Sequence, residues 1–388
     1  MSRSICFAGI LCVGVGAALA VSAEQGSNRA EREKKLQELL VARAKTADDA
    51  LNATITGHQE DGTPILQFLL VEQKRFTADL EVAKTPAEKL AAYERHLRSL
   101  RETERKLYAL YVAGSKGGEP DLYFTVKLTR ETAEIELLKV RLQSKDRSAD
   151  AKTLQELLAA RVKTADIALN ATIVNHWEDG TPFLQYLLVE QKAFNAHLEL
   201  ANAPAEKLTE YEQHLRNLQE TERKCEALYL AGSKGGEADL YFTVKLAREM
   251  AEIELLKVRL QNKDRAADDK KLPELLAARV KTANQALNAT INSQHEDGLP
   301  LVQYLYVEQR LFYAELDFAK SAADRIAAYE RRVRRASATE RATKKLFDSG
   351  DRAGAADLYF AIKLVLETAE IELLKAQIRA ANGAKQPS

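Results

Sequence analysis

Two sets of residues recur along the chain in patterns that could do chemistry. His58-Gln59-Glu60-Asp61, His176-Trp177-Glu178-Asp179 and His295-Glu296-Asp297 each run into a glycine, Gly62, Gly180 or Gly298. Imidazole beside carboxylates could ligate a divalent metal or form an acid–base pair, if ligands from several segments met at one point. The histidine slips register, however, because Gln294 and not His295 matches His58. Carboxylates and histidines are ordinary residues at helix ends flanking a glycine, and that reading is preferred here. The second set is Glu104, Glu222 and Glu340, always within Thr-Glu-Arg and always on an apolar helical stripe. A desolvated carboxylate there could hold a proton or a cation. The simpler expectation is an ion pair with an arginine, Arg105 or Arg130 in the first instance, that fixes helix register.

Other chemistries lack their residues. The chain has no Gly-rich phosphate loop, no Ser-His-Asp ordering, no Cys-x-x-Cys and no carboxylate pair marked out for glycosidic chemistry. A non-enzymatic protein with no catalytic residue, metal or cofactor is expected. Of three cysteines, Cys6 and Cys12 sit in the leader-like start, and Cys225 occupies the position of Leu107 and Thr343, where a small core filler is expected. The 57 basic and 57 acidic residues balance with signs interspersed, which gives no electrostatic footprint for nucleic acid.

These candidates sit on a repeated frame. Asp61-Gly62 returns as Asp179-Gly180 and Asp297-Gly298, and Asp121-Leu122-Tyr123-Phe124 returns at Asp239 and Asp357, always at an offset of 118. Copies one and two agree at about three-quarters of positions, and the third has drifted further. A weaker half-repeat, Val71–Lys84 on Val126–Lys139, makes each copy two helical hairpins. Leu90, Tyr93, Leu97, Leu100, Leu107 and Tyr111 keep three–four spacing, as do Phe124, Leu128, Ile135, Leu138 and Leu142. No stretch alternates with period two, so the fold class is all-α. Thr85-Pro86-Ala87-Glu88 reads as a capping box echoed at Ser321–Asp324, whereas Ala203-Pro204 reads as a mere kink. Neither Pro nor Gly occurs between Asp121 and His176, and Pro273 alone interrupts Asp239–His295. Continuous rods joining successive copies follow, packed as an elongated antiparallel long-helix bundle, with an α-solenoid of shorter hairpins as the alternative.

The organisation expected is a signal peptide over 1–23, a linker over 24–33 and helical repeats over 34–151, 152–269 and 270–387. Arg3, the apolar stretch Ile5–Ala20 and small residues at Val21-Ser22-Ala23 carry the export reading.

Tyr111-Val112-Ala113-Gly114, Asp121-Leu122 and Thr132-Ala133-Glu134-Ile135-Glu136-Leu137 resemble the helical repeats of the TolC-type outer-membrane efflux family. Those repeats carry an aromatic before a tip glycine, an Asp-Leu opening the return helix and an Ala-rich register. Tyr229, Gly232 and Asp239, and Phe347, Gly350 and Asp357, match likewise. The resemblance implies a periplasmic helical barrel or bundle that serves as conduit or dock without chemistry of its own, though no amphipathic strands for an outer-membrane barrel are visible.

The function expected is therefore a spacer, adaptor or interaction scaffold of the periplasm or cell envelope, self-associating or bound to protein partners and peripherally to membrane machinery. Asp61, Gly62, Gly114, Asp121, Asp179, Gly180, Gly232, Asp239, Asp297, Gly298, Gly350 and Asp357 are the expected partner-contact turns, and Glu104, Glu222 and Glu340 the expected inward carboxylates. A TolC-like efflux component and a metal or small-ligand binding module are the alternatives.

Overall fold

The protein is described here by a computed structural model. It describes residues 22–61, 65–114, 120–142, 148–179, 183–232, 238–261, 268–297, 301–349 and 355–383. The first four helices are α1 (Ser22–Asp61), α2 (Ile65–Val82), α3 (Pro86–Val112) and α4 (Pro120–Leu142). The next four are α5 (Ser148–Asp179), α6 (Phe183–Leu200), α7 (Pro204–Leu230) and α8 (Ala238–Gln261). The last are α9 (Asp268–Asp297), α10 (Leu301–Phe318), α11 (Ala322–Ser349) and α12 (Ala355–Gly383). Among the described residues there is no strand, so the protein is all-α. The leader-like residues 1–21 lie outside the described residues. Helix α1 runs through 24–33, the stretch expected as a linker; Glu, Gln, Arg and Ala there are good helix formers.

The hairpin breaks follow from local chemistry. Thr85 caps α3 with its side-chain oxygen on Glu88 N–H (3.1 Å), and Glu88 reaches back to accept from Thr85 N–H (3.0 Å). Ser321 and Asp324 do the same for α11. The kink expected at Ala203 is a full break between α6 and α7. Ala203 offers no side-chain cap, but Glu206 accepts from the N–H groups of both Asn202 (2.9 Å) and Ala203 (3.0 Å). The reciprocal half of a capping box therefore suffices when Pro204 opens the helix. At the far end of α3 and α7, Gly114 and Gly232 sit at φ 60°, the left-handed position at which glycine ends a helix without a Cβ penalty.

The continuous rods do not exist. Helix α4 ends at Leu142, α5 begins at Ser148, and α5 folds back along α4; α8 and α9 do likewise. Lack of Pro and Gly permits a helix to continue but does not require it. Doubling back lets Leu128 of α4 share one apolar cluster with Ala165 and Ala168 of α5 and Val189, Ala193 and Ala196 of α6. Residues 143–147, the polar string between the two helices, lie outside the described residues. Pro273 is accommodated near the start of α9.

Packing is cyclic. Helix α1 lies along α12 as α5 lies along α4 and α9 along α8. The same bonds appear at all three joints. Thr164 Oγ1 donates to Glu131 (3.1 Å), Thr282 to Glu249 (3.0 Å) and Thr46 to Glu367 (2.9 Å). Gln185 donates to Asp121 (2.5 Å), Gln303 to Asp239 (2.6 Å) and Gln67 to Asp357 (2.7 Å). The largest apolar cluster joins α2 and α3 to α10 and α12 across the closing joint, through Leu69, Val71, Leu305, Val307 and Ile362 among others.

Candidate functional site

Glu104, Glu222 and Glu340, expected as inward carboxylates, are half-buried, and the first two each meet an arginine. Arg130 of α4 donates to Glu104 of α3 through Nε (2.7 Å) and Nη2 (3.3 Å), and through Nη1 to Glu134 (2.5 Å). Arg248 repeats this with Glu222 (2.7 and 3.2 Å) and Glu252 (2.9 Å). Burial opposes the charge on Arg130, but the two carboxylates outweigh it and hold the guanidinium more firmly protonated. Arg105 is exposed and is not the partner. In the third copy Leu366 stands where Arg130 does; burial first and the nearby Glu340 carboxylate second raise the pKa of the Tyr359 hydroxyl. Glu104–Arg130 thereby ties α3 to α4, and Glu222–Arg248 ties α7 to α8.

The turn residues divide. Asp61, Asp179 and Asp297 end α1, α5 and α9, but their side chains, those of His58, His176 and His295, and Gly62, Gly180, Gly298 and Gly350 lie outside the described residues. Gly114 and Gly232 are exposed at hairpin tips. Asp121, Asp239 and Asp357, expected as partner contacts, are buried: each accepts from the glutamine of a neighbouring copy, so the joint and not a partner covers it.

Sequence reasoning missed the buried polar set that holds the copies together. Glu131, Glu249 and Glu367 each take one hydroxyl and leave the second oxygen without a hydrogen bond. Burial raises all three above the ordinary carboxylate range; the Thr hydroxyl and nearby cations only partly offset it. Deeper in, Glu72 lies 2.8 Å from His96 Nδ1 and Glu190 2.7 Å from His214 Nδ1, each imidazole stacked on a phenylalanine, Phe76 or Phe194. The third copy has Arg332 there, 3.4 Å from Glu308 and stacked over Phe312. Burial pushes the ammonium groups of Lys74 and Lys192 down to about 8, with Lys192 donating to Thr129 (2.8 Å). Lys74 sits among Arg332, Glu308, Glu372 and Arg43, charged groups of the closing joint. The one signal in the sequence is recurrence at the repeat offset, which duplication gives to idle residues as well.

Among the described residues no three His, Cys, Asp or Glu side chains come together as a metal site. Cys225 is buried and its thiol is pushed up to about 11 by burial, which makes it a poor nucleophile.

The surface is less settled than the interior. Tyr108, Leu110, Tyr111 and Val112 stand exposed at the end of α3, Val112 by 66%. Leu228, Tyr229 and Leu230 do so on α7, Leu230 by 77%, and Leu346 and Phe347 on α11. Tyr111, Tyr229 and Phe347 stack on Tyr123, Tyr241 and Tyr359 with centroids 5.3, 5.2 and 5.0 Å apart. Each stack joins the end of one helix to the start of the next and leaves the outer apolar residues exposed.

Comparison with protein-family models, with curated proteins and with solved structures finds no match. Among the described residues no helix is long and apolar enough to cross a membrane.

Proposed function

We propose that this chain is a non-enzymatic interaction scaffold of the periplasm or cell envelope, three copies of one 118-residue unit joined in a ring that presents hairpin tips to protein partners. The observation that carries the reading is the exposure of Tyr108, Leu110, Tyr111 and Val112, and of Leu228, Tyr229 and Leu230, on ordered helix ends. Apolar side chains on stiff supports can bind without paying a large ordering cost. The aromatic–glycine pairs Tyr111–Gly114 and Tyr229–Gly232, which resemble the tips of TolC-type hairpins, lie in these same places. That likeness supports a docking role. In the interior the Glu104 and Glu222 carboxylates are held by arginine, and supporting shape is the chemistry such pairs provide.

Photo-crosslinkers placed at Val112 and Leu230 of the full chain in its native cells test this. Discrete crosslinked protein species in the envelope fraction, absent when the probe is moved to exposed polar Lys163, support the scaffold. A chain that is monomeric, freely soluble in the cytoplasm and crosslinked to nothing overturns it.

A further inference from the structure

One cavity on the first copy has a composition that neither the joints nor the tips account for. It is an open groove of about 320 Å³ between α3 and α4, lined by Glu94, Leu97, Arg98, Arg101, Leu137 and Arg141. Leu97 and Leu137 are buried and form an apolar floor. Two ion pairs cross from helix to helix beside that floor, Arg141 to Glu94 (3.0 Å) and Arg101 to Glu134 (2.5 Å). Arg98 stands between them, exposed, and has no hydrogen bond or ion pair among the described residues. Three guanidinium groups thus face one lining carboxylate over a small oily surface.

We propose that this groove binds an amphipathic anion, a carboxylate or phosphate monoester with a short hydrocarbon body. A guanidinium presents a planar fork of donors matched to the two oxygens of such a head group. Arg98 has its donors free for that role, and Arg101 and Arg141, each paired with a carboxylate, line the same groove. The leucine floor gives a hydrocarbon body a place out of water, which an inorganic anion could not use. A volume of this size lies at the lower end of small-molecule sites, which suits a compact ligand.

The other copies serve as internal controls. In the second, Arg216 replaces Arg98 but is occupied by Gln213 (2.8 Å), Gln219 replaces Arg101, and Arg259 keeps its pair with Glu212 (2.8 Å). In the third, Arg334, Ser337 and Gln377 stand at these positions, leaving one cation. The arginine count falls from three to two to one along the chain, so one site per chain is expected, on the first copy.

Isothermal titration of the full chain with sodium octanoate and with octyl phosphate tests the assignment, with acetate and inorganic phosphate as head-group controls. The expected result is one site per chain for at least one amphiphile, about tenfold or more tighter than for its head group alone. Arg98→Ala should weaken that binding by about tenfold or more, while Arg216→Ala leaves it unchanged. Both residues are exposed, so neither change threatens folding. Absence of saturable binding, equal affinity for acetate and octanoate, or binding indifferent to Arg98→Ala would overturn the assignment.

Discussion

The joints between copies and the tips of their hairpins are made from the same repeat, yet the joints have kept their bonds while the tips have changed. At the joints Thr164–Glu131, Thr282–Glu249 and Thr46–Glu367 are the same bond made three times, as are the Gln–Asp pairs beside them. At the tips the first copy shows Tyr108 to Val112, the second Leu228 to Leu230 with Glu226 in place of Tyr108, and the third Lys344, Lys345, Leu346 and Phe347. A buried donor must keep its acceptor, because an orphaned partner costs its full desolvation, whereas an exposed side chain is free to change. The contrast teaches where this protein is fixed and where it can acquire partners.

Removing an apolar side chain from a joint should have the largest effect. Leu128 is fully buried between α4, α5 and α6, and Leu128→Ala should cost about 2–5 kcal/mol in urea unfolding. A loss as small as that of a tip variant would erase the distinction drawn above.

Acidity should act on the joints next. The folded-state pKa of Glu131, Glu249 and Glu367 is raised by burial, so the folded protein holds more protons than the unfolded chain between the ordinary carboxylate value and the raised one. The stabilising contribution is full below the ordinary value and is lost as pH rises through the raised one. Replacing all three by glutamine should therefore raise the midpoint of thermal unfolding at pH 7 and reduce the gain otherwise seen on acidification. Glu199, held below its usual range by Lys139 and Arg161 against its own burial, works in the other sense and remains in the variant. An unchanged pH slope would show that the joints carry no such strain.

A smaller effect separates the first hairpin from the second. Ala203→Thr should supply the missing cap of α7 and add about 1 kcal/mol, and Thr85→Ala should remove about as much from α3, both measurable by urea unfolding. At the tips, Val112→Ser read with a photo-crosslinker at Tyr108, and Leu230→Ser read with one at Leu228, should change stability by less than about 0.5 kcal/mol while abolishing the envelope crosslinks. The smallest effect should be none. A circular permutant opened between Leu142 and Ser148, with residue 378 joined to residue 30 by a five-residue linker like the one it replaces, should keep its helical circular dichroism and a single unfolding transition. A molten or aggregated permutant would mean that α12 and α1 are not joined as α4 and α5 are.

Much of the fold is legible in the amino-acid sequence. Helix periodicity marks the seams through Leu97, Leu100 and Leu107 and through Leu128 and Ile135, all of which are buried. The capping box at Thr85 is written in four adjacent residues, but the sequence offers Glu104 two arginines, Arg105 and Arg130, and only packing selects Arg130. The Ala203 break is harder to see, because Glu206 counts for little in a capping pattern whose threonine is gone. The return of α5 along α4 reads as a rod, since nothing local forbids a helix from running on through 143–147. Of the site, the tips at Gly114 and Gly232 are marked by their glycines, but Asp121, Asp239 and Asp357 look like surface turn residues when they belong within. The arginine groove has no local signature, because Arg98 and Arg141 approach only when α3 and α4 pack.

What the sequence determined by itself is whatever residues within a few turns of one another can settle: helical state, caps, glycine ends and the 118-residue period. Those depend on backbone hydrogen bonds and side-chain spacing along one chain segment. Only the tertiary structure decided that α1 closes on α12, that Thr46 meets Glu367 across 321 residues and that the polar interior is shared among copies. Such contacts depend on which apolar faces bury one another best, a comparison among whole arrangements that no local pattern encodes.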